Sequence, residues 1–381
     1  MKLSGAWIEV QATQVVCRML TEAGYQALFV GGCVRNTLLG APVGDIDIAT
    51  DARPEVVAHL ATATGLKPVP TGFEHGTITV ISSHIPHEVT TFREDVQTFG
   101  RHAVVAFATD IHADARRRDF TMNALYARPD GTVIDPLGGL EDLRARRVRF
   151  IEDADQRIRE DYLRVLRFFR FHAWYGDPAG GLDPDGLAAC ASNLDGLADL
   201  SRERVGAEIR KLLAAPDPAP ALAAMQAAGV LHAILPGADG RALTVMVHLE
   251  SETNIAPDAI LRLTALGGEA VADRLRLSKA DARRVCLLRE AAVGGARAGE
   301  LGYRYGVEDG RAILLLRAAL LDMPPDPQAV EGLTQGADAR FPVAAADLMP
   351  EYTGPALGAR LQALERRWID SGFVLRREDL I

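Results

Sequence analysis

Apolar residues change period several times over the first 140 positions and then settle into one helical rhythm. Between residues 6 and 23, Ile8, Ala12, Val15, Val16, Met19 and Leu20 recur at three- and four-residue spacing and Gly24 supplies a stop, which predicts an amphipathic helix. The unbroken apolar run 27–30 predicts a buried strand. Pro54 at a helix start and Gly65 beyond its end bracket a second helix. Strand-like segments follow at 76–81, 87–92 and 103–107, and a helix is expected over 114–127. Beyond Leu140 the β signals nearly vanish, and alanine, leucine and arginine recur with helical periodicity. The fold class implied is α+β: a mixed sheet with helices over 1–142, then an all-helical remainder. The run Ala214-Ala215-Pro216-Asp217-Pro218-Ala219-Pro220 divides that remainder into 143–215 and 216–381.

With 381 residues, 48% of them apolar, the chain can build two or more domains with real cores. No segment has the uninterrupted apolar length of a membrane span, and the first residues lack a basic region leading into an apolar run and a cleavage site. A cytoplasmic protein with no membrane partner and no stable protein partner is expected. Cys17, Cys33, Cys190 and Cys286 lie far apart with no paired spacing, which points neither to zinc nor to disulfides. The formal net charge of -9 argues mildly against a nucleic-acid partner. Locally the balance differs, because arginines gather at 116–118, at 144–149 and at 157–170. Each cluster is interleaved with acids, a pattern that fits a solvated ion-pair surface as well as a phosphate-binding face.

The chemistry begins at Gly31-Gly32-Cys33-Val34-Arg35, which leads into Asp45-Ile46-Asp47-Ile48. Two glycines after a strand let backbone approach a phosphate closely, and the amides opening the next helix, with Arg35, aim positive charge at it. Asp45 and Asp47 alternate with isoleucine, so at strand periodicity both carboxylates project from one face. Such a pair beside a phosphate cradle suits Mg2+, which takes oxygen ligands and shares them with substrate phosphates. Either motif alone is usually a turn or a solvated edge. Their order and spacing together suggest nucleotidyl transfer.

This order resembles the first motif of the class II tRNA nucleotidyltransferases, the CCA-adding enzymes and their bacterial poly(A) polymerase relatives. One departure is Asn36, where members usually carry aspartate; no metal role belongs to that position, and the change is expected to be tolerated. The resemblance continues in order to about residue 236. Glu88, before Val89-Thr90-Thr91-Phe92, falls where the family places a metal-proximal glutamate; read alone, it is an exposed strand residue. The charged stretch 93–102 resembles the family's flexible loop, needed to switch from CTP to ATP; read alone, it is a hairpin connection. The chain then has Arg101-His102-Ala103-Val104, without the Arg-Arg-Phe-Arg of the poly(A) polymerases, which favours CCA addition. Arg116-Arg117-Arg118-Asp119-Phe120-Thr121-Met122-Asn123 matches the second motif and implies Arg118 at the phosphates, with Asp119 and Asn123 on one helix face for the ribose. Asp135-Pro136-Leu137-Gly138-Gly139 resembles the third motif and is read as a joint.

In the fourth motif, Glu160-Asp161-Tyr162-Leu163-Arg164, a single helix is expected to place Asp161 and Arg164 on one side with Arg157, and Ile158, Tyr162, Val165 and Phe169 in its buried stripe. An ionised aspartate only accepts and an arginine only donates, so the pair fits a base edge with an amino group beside a ring-nitrogen acceptor. Cytosine and adenine have that edge, whereas guanine and uracil leave the charges mispaired. The same residues also fit a plain ladder of helical ion pairs. The match adds Arg167 and Arg170 to the nucleotide site. The fifth motif, Ser201 to Leu213, offers a capped helix with Arg204 and Glu208 one turn apart and is expected to brace the fourth. No His-Asp dipeptide occurs, so the phosphohydrolase module of some relatives is not expected.

The resemblance thus implies a nucleotidyltransferase head (1–142), a base-recognising neck (143–215) and a tRNA-binding body (216–381). Asp45 and Asp47 would hold Mg2+ with help from Glu88. Gly32, Arg35 and Arg118 would hold the triphosphate, Asp119 and Asn123 the ribose, and Asp161 with Arg164 the base. The expected activity is addition of C, C and A to tRNA 3' ends from CTP and ATP. The alternatives are CC-only or A-only addition, poly(A) synthesis and, in another class, a noncatalytic tRNA-binding protein.

Overall fold

The computed structural model describes residues 1–99 and 102–381, with backbone alone for 95–99 and 102–105. It divides into two compact units, Met1–Ile234 and Leu235–Ile381.

The first unit opens with α1 (Ala6–Glu9) and α2 (Gln11–Glu22), so the expected single helix is interrupted where Val10 leaves helical geometry at φ -58°, ψ 126°. Strand β1 (Leu28–Val30) runs into α3 (Gly32–Leu39), followed by β2 (Ile46–Thr50) and α4 (Pro54–Ala63). Then come β3 (Lys67–Gly72), β4 (Thr77–Ser82) and β5 (Ile85–Thr91), the ribbon β6 (Arg93–Phe99) and β7 (His102–Phe107), and later β8 (Tyr126–Ala127) and β9 (Val133–Ile134). The main sheet has the order β3-β4-β5-β2-β1-β8-β9. It is mixed, since β2 pairs with β5 in parallel and with β1 antiparallel. Strand β3 was not foreseen; Pro68 and Pro70 cannot donate to a ladder, and the strand sits at the sheet edge where that is tolerated. Alternation sends Ile46, Ile48, Ile78, Val80 and Val89 into the core, on the face covered by α2 and α4, and leaves Asp47 on the other face.

The stretch 93–102, which read alone is a hairpin connection, supplies β6 and pairs antiparallel with the strand expected at 103–107, Arg93 opposite Phe107 and Phe99 opposite His102. Gly100 and Arg101 of that motif lie outside the described residues. One expectation fails for a physical reason. The helix expected over 114–127 ends early: α5 covers Ile111–Arg116, a 3-10 turn takes Thr121–Asn123, and Tyr126-Ala127 joins β1 as a strand. Every residue from Asp119 to Ala127 is buried, so this segment has no polar face to show solvent and threads through the core instead.

The helices α6 (Gly139–Arg144), α7 (Ala154–Glu160), α8 (Leu163–Tyr175), α9 (Pro184–Ser192), α10 (Arg202–Leu213), α11 (Ala219–Ala227) and α12 (Val230–Ile234) complete the first unit. The single helix expected through the fourth motif is two, broken at Asp161, whose backbone is extended at φ -152°, ψ 103°. Ile158, Val165 and Phe169 are fully buried, while Tyr162 is half-buried at the break. Helix α8 packs on α10 and α11, so the proline-rich run lies inside this unit. Phe120 joins sheet to helices: its ring centroid is 4.9 Å from those of Phe150 and Phe171 and 6.3 Å from that of Phe168.

The second unit is helical, with α13 (Arg241–Thr253), α14 (Ala259–Leu266), α15 (Val271–Arg274), α16 (Lys279–Val293), α17 (Ala298–Leu321), α18 (Ala329–Asp338), α19 (Gly354–Asp370) and α20 (Arg377–Leu380). Helices α17 and α18 touch backbone to backbone: a Cβ on Gly336 would stand 1.9 Å from the Gly299 carbonyl oxygen. Arg262 and Glu250 form a buried ion pair at 2.6 Å, and Trp368 centres a satellite core with Val343, Leu348, Leu364 and Ile369. A cavity of about 560 Å³ in this unit is walled mainly by Leu314, Leu321, Met323 and Val330. Cys17, Cys33 and Cys190 are buried thiols and Cys286 is exposed. Among the described residues no helix is long and apolar enough to cross a membrane.

Because Phe120 is fully buried against Phe150, Phe168 and Phe171, Phe120→Ala is expected to cost about 3 to 5 kcal/mol and Phe120→Leu clearly less. Urea unfolding followed by circular dichroism checks the order; equal losses for the two would contradict the packing argument.

Candidate active site

The turn out of β1 forms the cradle expected to approach a phosphate. Gly31 stands at φ 70°, ψ -118°, a conformation strained for any L side chain, and its amide donates to the Leu125 carbonyl at 3.1 Å. A Cβ there would meet Arg118 Nη1 at 3.5 Å, and one on Gly32 would meet only Arg35 Nη2 at 3.8 Å. The N-terminal amides of α3 therefore open beside two guanidinium groups.

Those two groups are held differently. Arg118 donates through Nε and Nη2 to Asp114 Oδ2, at 3.3 and 3.0 Å, and through Nε to the Tyr126 hydroxyl at 3.2 Å. Its Nη1, beside Gly31, is left to face the cradle. Asp114 is buried and also accepts from Arg117 Nε and Tyr126 Oη. Burial opposes its ionisation, but Arg118 and Arg117 hold its carboxyl far below the ordinary range. Arg35 is buried beneath the cradle: it donates to Asn36 Oδ1 through Nε and Nη2, to Asn123 Oδ1 through Nη1 at 2.5 Å, and to the Tyr175 hydroxyl at 2.9 Å. Its guanidinium lies 3.9 Å from the Tyr175 ring centroid. Arg35, expected at the phosphates, here joins α3 to α8, and the Asn36 amide oxygen accepts both donors where a family aspartate would use its carboxylate.

The carboxylates come together through strand register. Asp47 pairs with Glu88 across β2 and β5, and Glu88 with Thr79 across β5 and β4, so these side chains share the open sheet face. Asp45, exposed, immediately precedes β2. Burial first, then the Glu88 charge, with a smaller push from Asp45, raises the Asp47 carboxyl to about 6, while Arg118 and Arg35 partly offset them. Among the described residues no group of three or more His, Cys, Asp or Glu side chains is placed to hold a metal ion by protein ligands alone. What fits is a divalent cation held by one or two carboxylates plus substrate oxygens, which relieves the repulsion that Asp47 feels.

Asp119 and Asn123 do meet, but across the 3-10 turn and not along a helix: Asn123 Nδ2 donates to Asp119 Oδ1 at 2.8 Å. Asp119 Oδ2 accepts from Arg167 Nε at 2.7 Å. Burial works against the Asp119 charge, yet Arg167, Asn123 and the Phe120 amide keep its carboxyl down at about 2. Arg170 donates to Glu208 Oε2 at 2.5 Å, and both Arg167 and Arg170 lie over the Phe171 ring.

The expected base-reading pair is drawn in two directions. Asp161 Oδ1 accepts from the Leu163 amide at 3.1 Å and Oδ2 from Arg204 Nη2 at 2.6 Å. Arg164 donates to Glu160 Oε2 at 2.7 Å and to the carbonyls of Arg157 and Arg117 at 2.8 and 3.0 Å. Arg157, expected beside them on one face, is buried, paired with Glu160 and bonded to the Arg116 carbonyl. The reason is the helix break: an extended residue at 161 turns its carboxylate toward α10. Sequence reasoning missed Asp114 and Tyr175. Asp114 stands three and four residues before Arg117 and Arg118, a spacing that could have shown it as their anchor. No local pattern marks Tyr175, 140 positions from Arg35.

Residues 27–149 match the poly A polymerase head domain, and residues 181–240 match the probable RNA and SrmB-binding site of polymerase A. Over these two stretches the chain is similar to poly A polymerase. It is 43% identical over 196 residues to CCA tRNA nucleotidyltransferase 1, mitochondrial, of Homo sapiens, covering 51% of this chain and 45% of that protein. It is 42% identical over 228 residues to the CCA-adding enzyme of Geobacillus stearothermophilus, covering 59% and 54%. The matched stretch thus spans about half the length of these relatives. The crystal structure of the Bacillus stearothermophilus CCA-adding enzyme in complex with CTP superposes with a TM-score of 0.71 at 29% identity, over 95% of this chain and 93% of that one. The Thermotoga maritima CCA-adding enzyme complexed with tRNA, at 18% identity and a TM-score of 0.68, shares the fold over 100% of this chain and 98% of its own.

Asp47 at about 6 in the folded chain and 3.8 as its ordinary value means that the folded state binds an extra proton between those pH values. Stability therefore falls as pH rises through that window. In chelator, Asp47→Asn is expected to gain on the order of 1 to 3 kcal/mol over the parent at pH 7 and almost nothing at pH 3.5. Urea unfolding at both pH values checks this; equal gains at both would contradict the shift.

Proposed function

We propose that this chain is a cytoplasmic enzyme that adds C, C and A to tRNA 3' ends, taking CTP and ATP one at a time without a nucleic-acid template. The observation that carries the reading is the pairing of Asp47 with Glu88 on the open sheet face, within the electrostatic reach of Arg118 and beside the Gly31-Gly32 turn. The names of the similar proteins support the choice of tRNA, CCA addition and CTP.

Asp45 and Asp47 would hold Mg2+. When bound, that ion lowers the pKa of the attacking hydroxyl and takes up charge on the departing pyrophosphate. The chain's own groups do the rest. Helix α3 amides and Arg118 Nη1 grip the triphosphate, with Arg35 supplying charge from beneath while it fixes Asn123. Asn123 and Asp119 meet the ribose hydroxyls. The bond from the tRNA 3' oxygen to the α-phosphorus forms as the bond to the β-phosphate oxygen breaks, pyrophosphate leaves, and the hydroxyl proton passes to solvent. Glu88 adds negative charge at Asp47 and so favours a cation there. Asp161 accepts from the base amino group and Arg164 donates to the ring nitrogen. The helices after residue 142 serve as neck to 215 and as tRNA-binding body beyond, by shape and phosphate contacts.

On a tRNA lacking its terminal CCA, three added residues in the order C, C, A are expected, read on sequencing gels. A long A tail, or arrest after CC, overturns the assignment. Asp45→Ala with Asp47→Ala is expected to abolish incorporation while leaving tRNA retention intact; surviving incorporation removes the metal role. Asp161→Ala is expected to admit UTP and GTP with little change in tRNA affinity, and unchanged base choice would remove its reading role.

A further inference from the structure

Asp161 differs from the other acids of the site in how it is held. Asp114 and Asp119 are buried and each accepts from several donors, whereas the Asp161 side chain is 36% exposed. Its carboxylate has two polar contacts. Oδ1 caps the first turn of α8 through the Leu163 amide, and Oδ2 meets Arg204 Nη2 at 2.6 Å. Arg164 by contrast has three acceptors, so its pose does not hang on one side chain.

Arg204 is itself well placed to act as a clamp. It lies in the first turn of α10, whose start is capped by Ser201 Oγ accepting from the Arg204 amide, and α10 packs along α8. Each carboxylate oxygen can accept two hydrogen bonds. With one site on Oδ1 used by the helix start and one on Oδ2 used by Arg204, the carboxylate has one fixed orientation and keeps one acceptor site on each oxygen, that on Oδ2 lying beside Arg204. A base amino group fits that site, and a base carbonyl presented there meets an oxygen that cannot turn away.

We infer that Arg204 is a specificity-determining positioning residue, which pins the Asp161 carboxylate so that one aimed oxygen reads the amino group of the incoming CTP or ATP. The inference rests on the base-reading role proposed for Asp161. Arg204 touches neither the base nor the reacting atoms; it acts through Asp161.

The test uses the full chain with a tRNA lacking CCA, and the ratio of UTP to CTP incorporated in single turnovers. Arg204→Met keeps the aliphatic stem and removes the donors. It is expected to raise that ratio by about tenfold, and Arg204→Lys, which restores one donor, to bring it back within about threefold of the parent. On an Asp161→Ala background, adding Arg204→Met is expected to change the ratio no further. A ratio unmoved by Arg204→Met while Asp161→Ala raises it overturns this inference and leaves the base-reading role standing. A ratio unmoved by Asp161→Ala overturns that role itself. An additive effect of the two changes also overturns the inference, since Arg204 would then act by another route. Should Arg204→Met fail to melt cooperatively, Arg204→Lys alone decides: a ratio raised at least as far as by Asp161→Ala contradicts rescue by a restored donor.

Discussion

Two acidic side chains locked level with each other across parallel strands set the terms for the first unit. The register of β2 on β5 is fixed by the isoleucines and valines on the covered face, and a one-residue slip would turn that whole set outward. The same register leaves Asp47 and Glu88 no freedom to separate. Burial of Asp47, and after it the repulsion from Glu88, is what lifts Asp47 so far from its ordinary value. A fold that keeps such a pair carries a standing local cost, which a cation on the open face would remove.

The arginines around this pair are arranged so that they cannot collapse onto it. Arg118 is tied back by Asp114 and Tyr126, Arg35 by Asn36, Asn123 and Tyr175, and Arg167 by Asp119. Each is held by groups other than Asp47 and Glu88, so the carboxylates keep their charge available. Donors fixed before a substrate arrives need no reorganisation when charge develops, which is where such sites gain most. The overall charge of -9 is then no obstacle, because the field that matters is set by a few guanidinium groups at short range.

How much of this the sequence revealed follows from what each signal depends on. The strand, the glycine turn, the Asp-x-Asp alternation and the helical remainder were legible because they are local patterns with a fixed period. The 119–127 segment was not: Asp119 and Asn123 are four apart, as on a helix, and only tertiary burial of Phe120, Met122, Leu125 and Tyr126 overrides that reading. The break at Asp161 was missed for a similar reason. Nothing in Glu160-Asp161-Tyr162-Leu163 forbids a helix, and Arg204, which receives the turned carboxylate, is 43 positions away. Arg35 was placed near phosphate from its motif position and charge, and its packing on Tyr175 and Phe171 of α8 had no local signal.

That break also explains why one short segment can serve two demands. In a continuous helix, residues 161 and 164 would point along one face, and both side chains would be free to pair with each other. Extended backbone at Asp161 separates them: the aspartate turns toward α10 and starts α8 with its own Oδ1, while Arg164 turns back to Glu160 and the Arg117 carbonyl. An acceptor and a donor that would otherwise pair with each other are thereby kept apart, each held by other groups. The proposed complementarity to a base edge depends on that separation, since an aspartate and an arginine bonded to each other would present neither group to an amino donor beside a ring nitrogen.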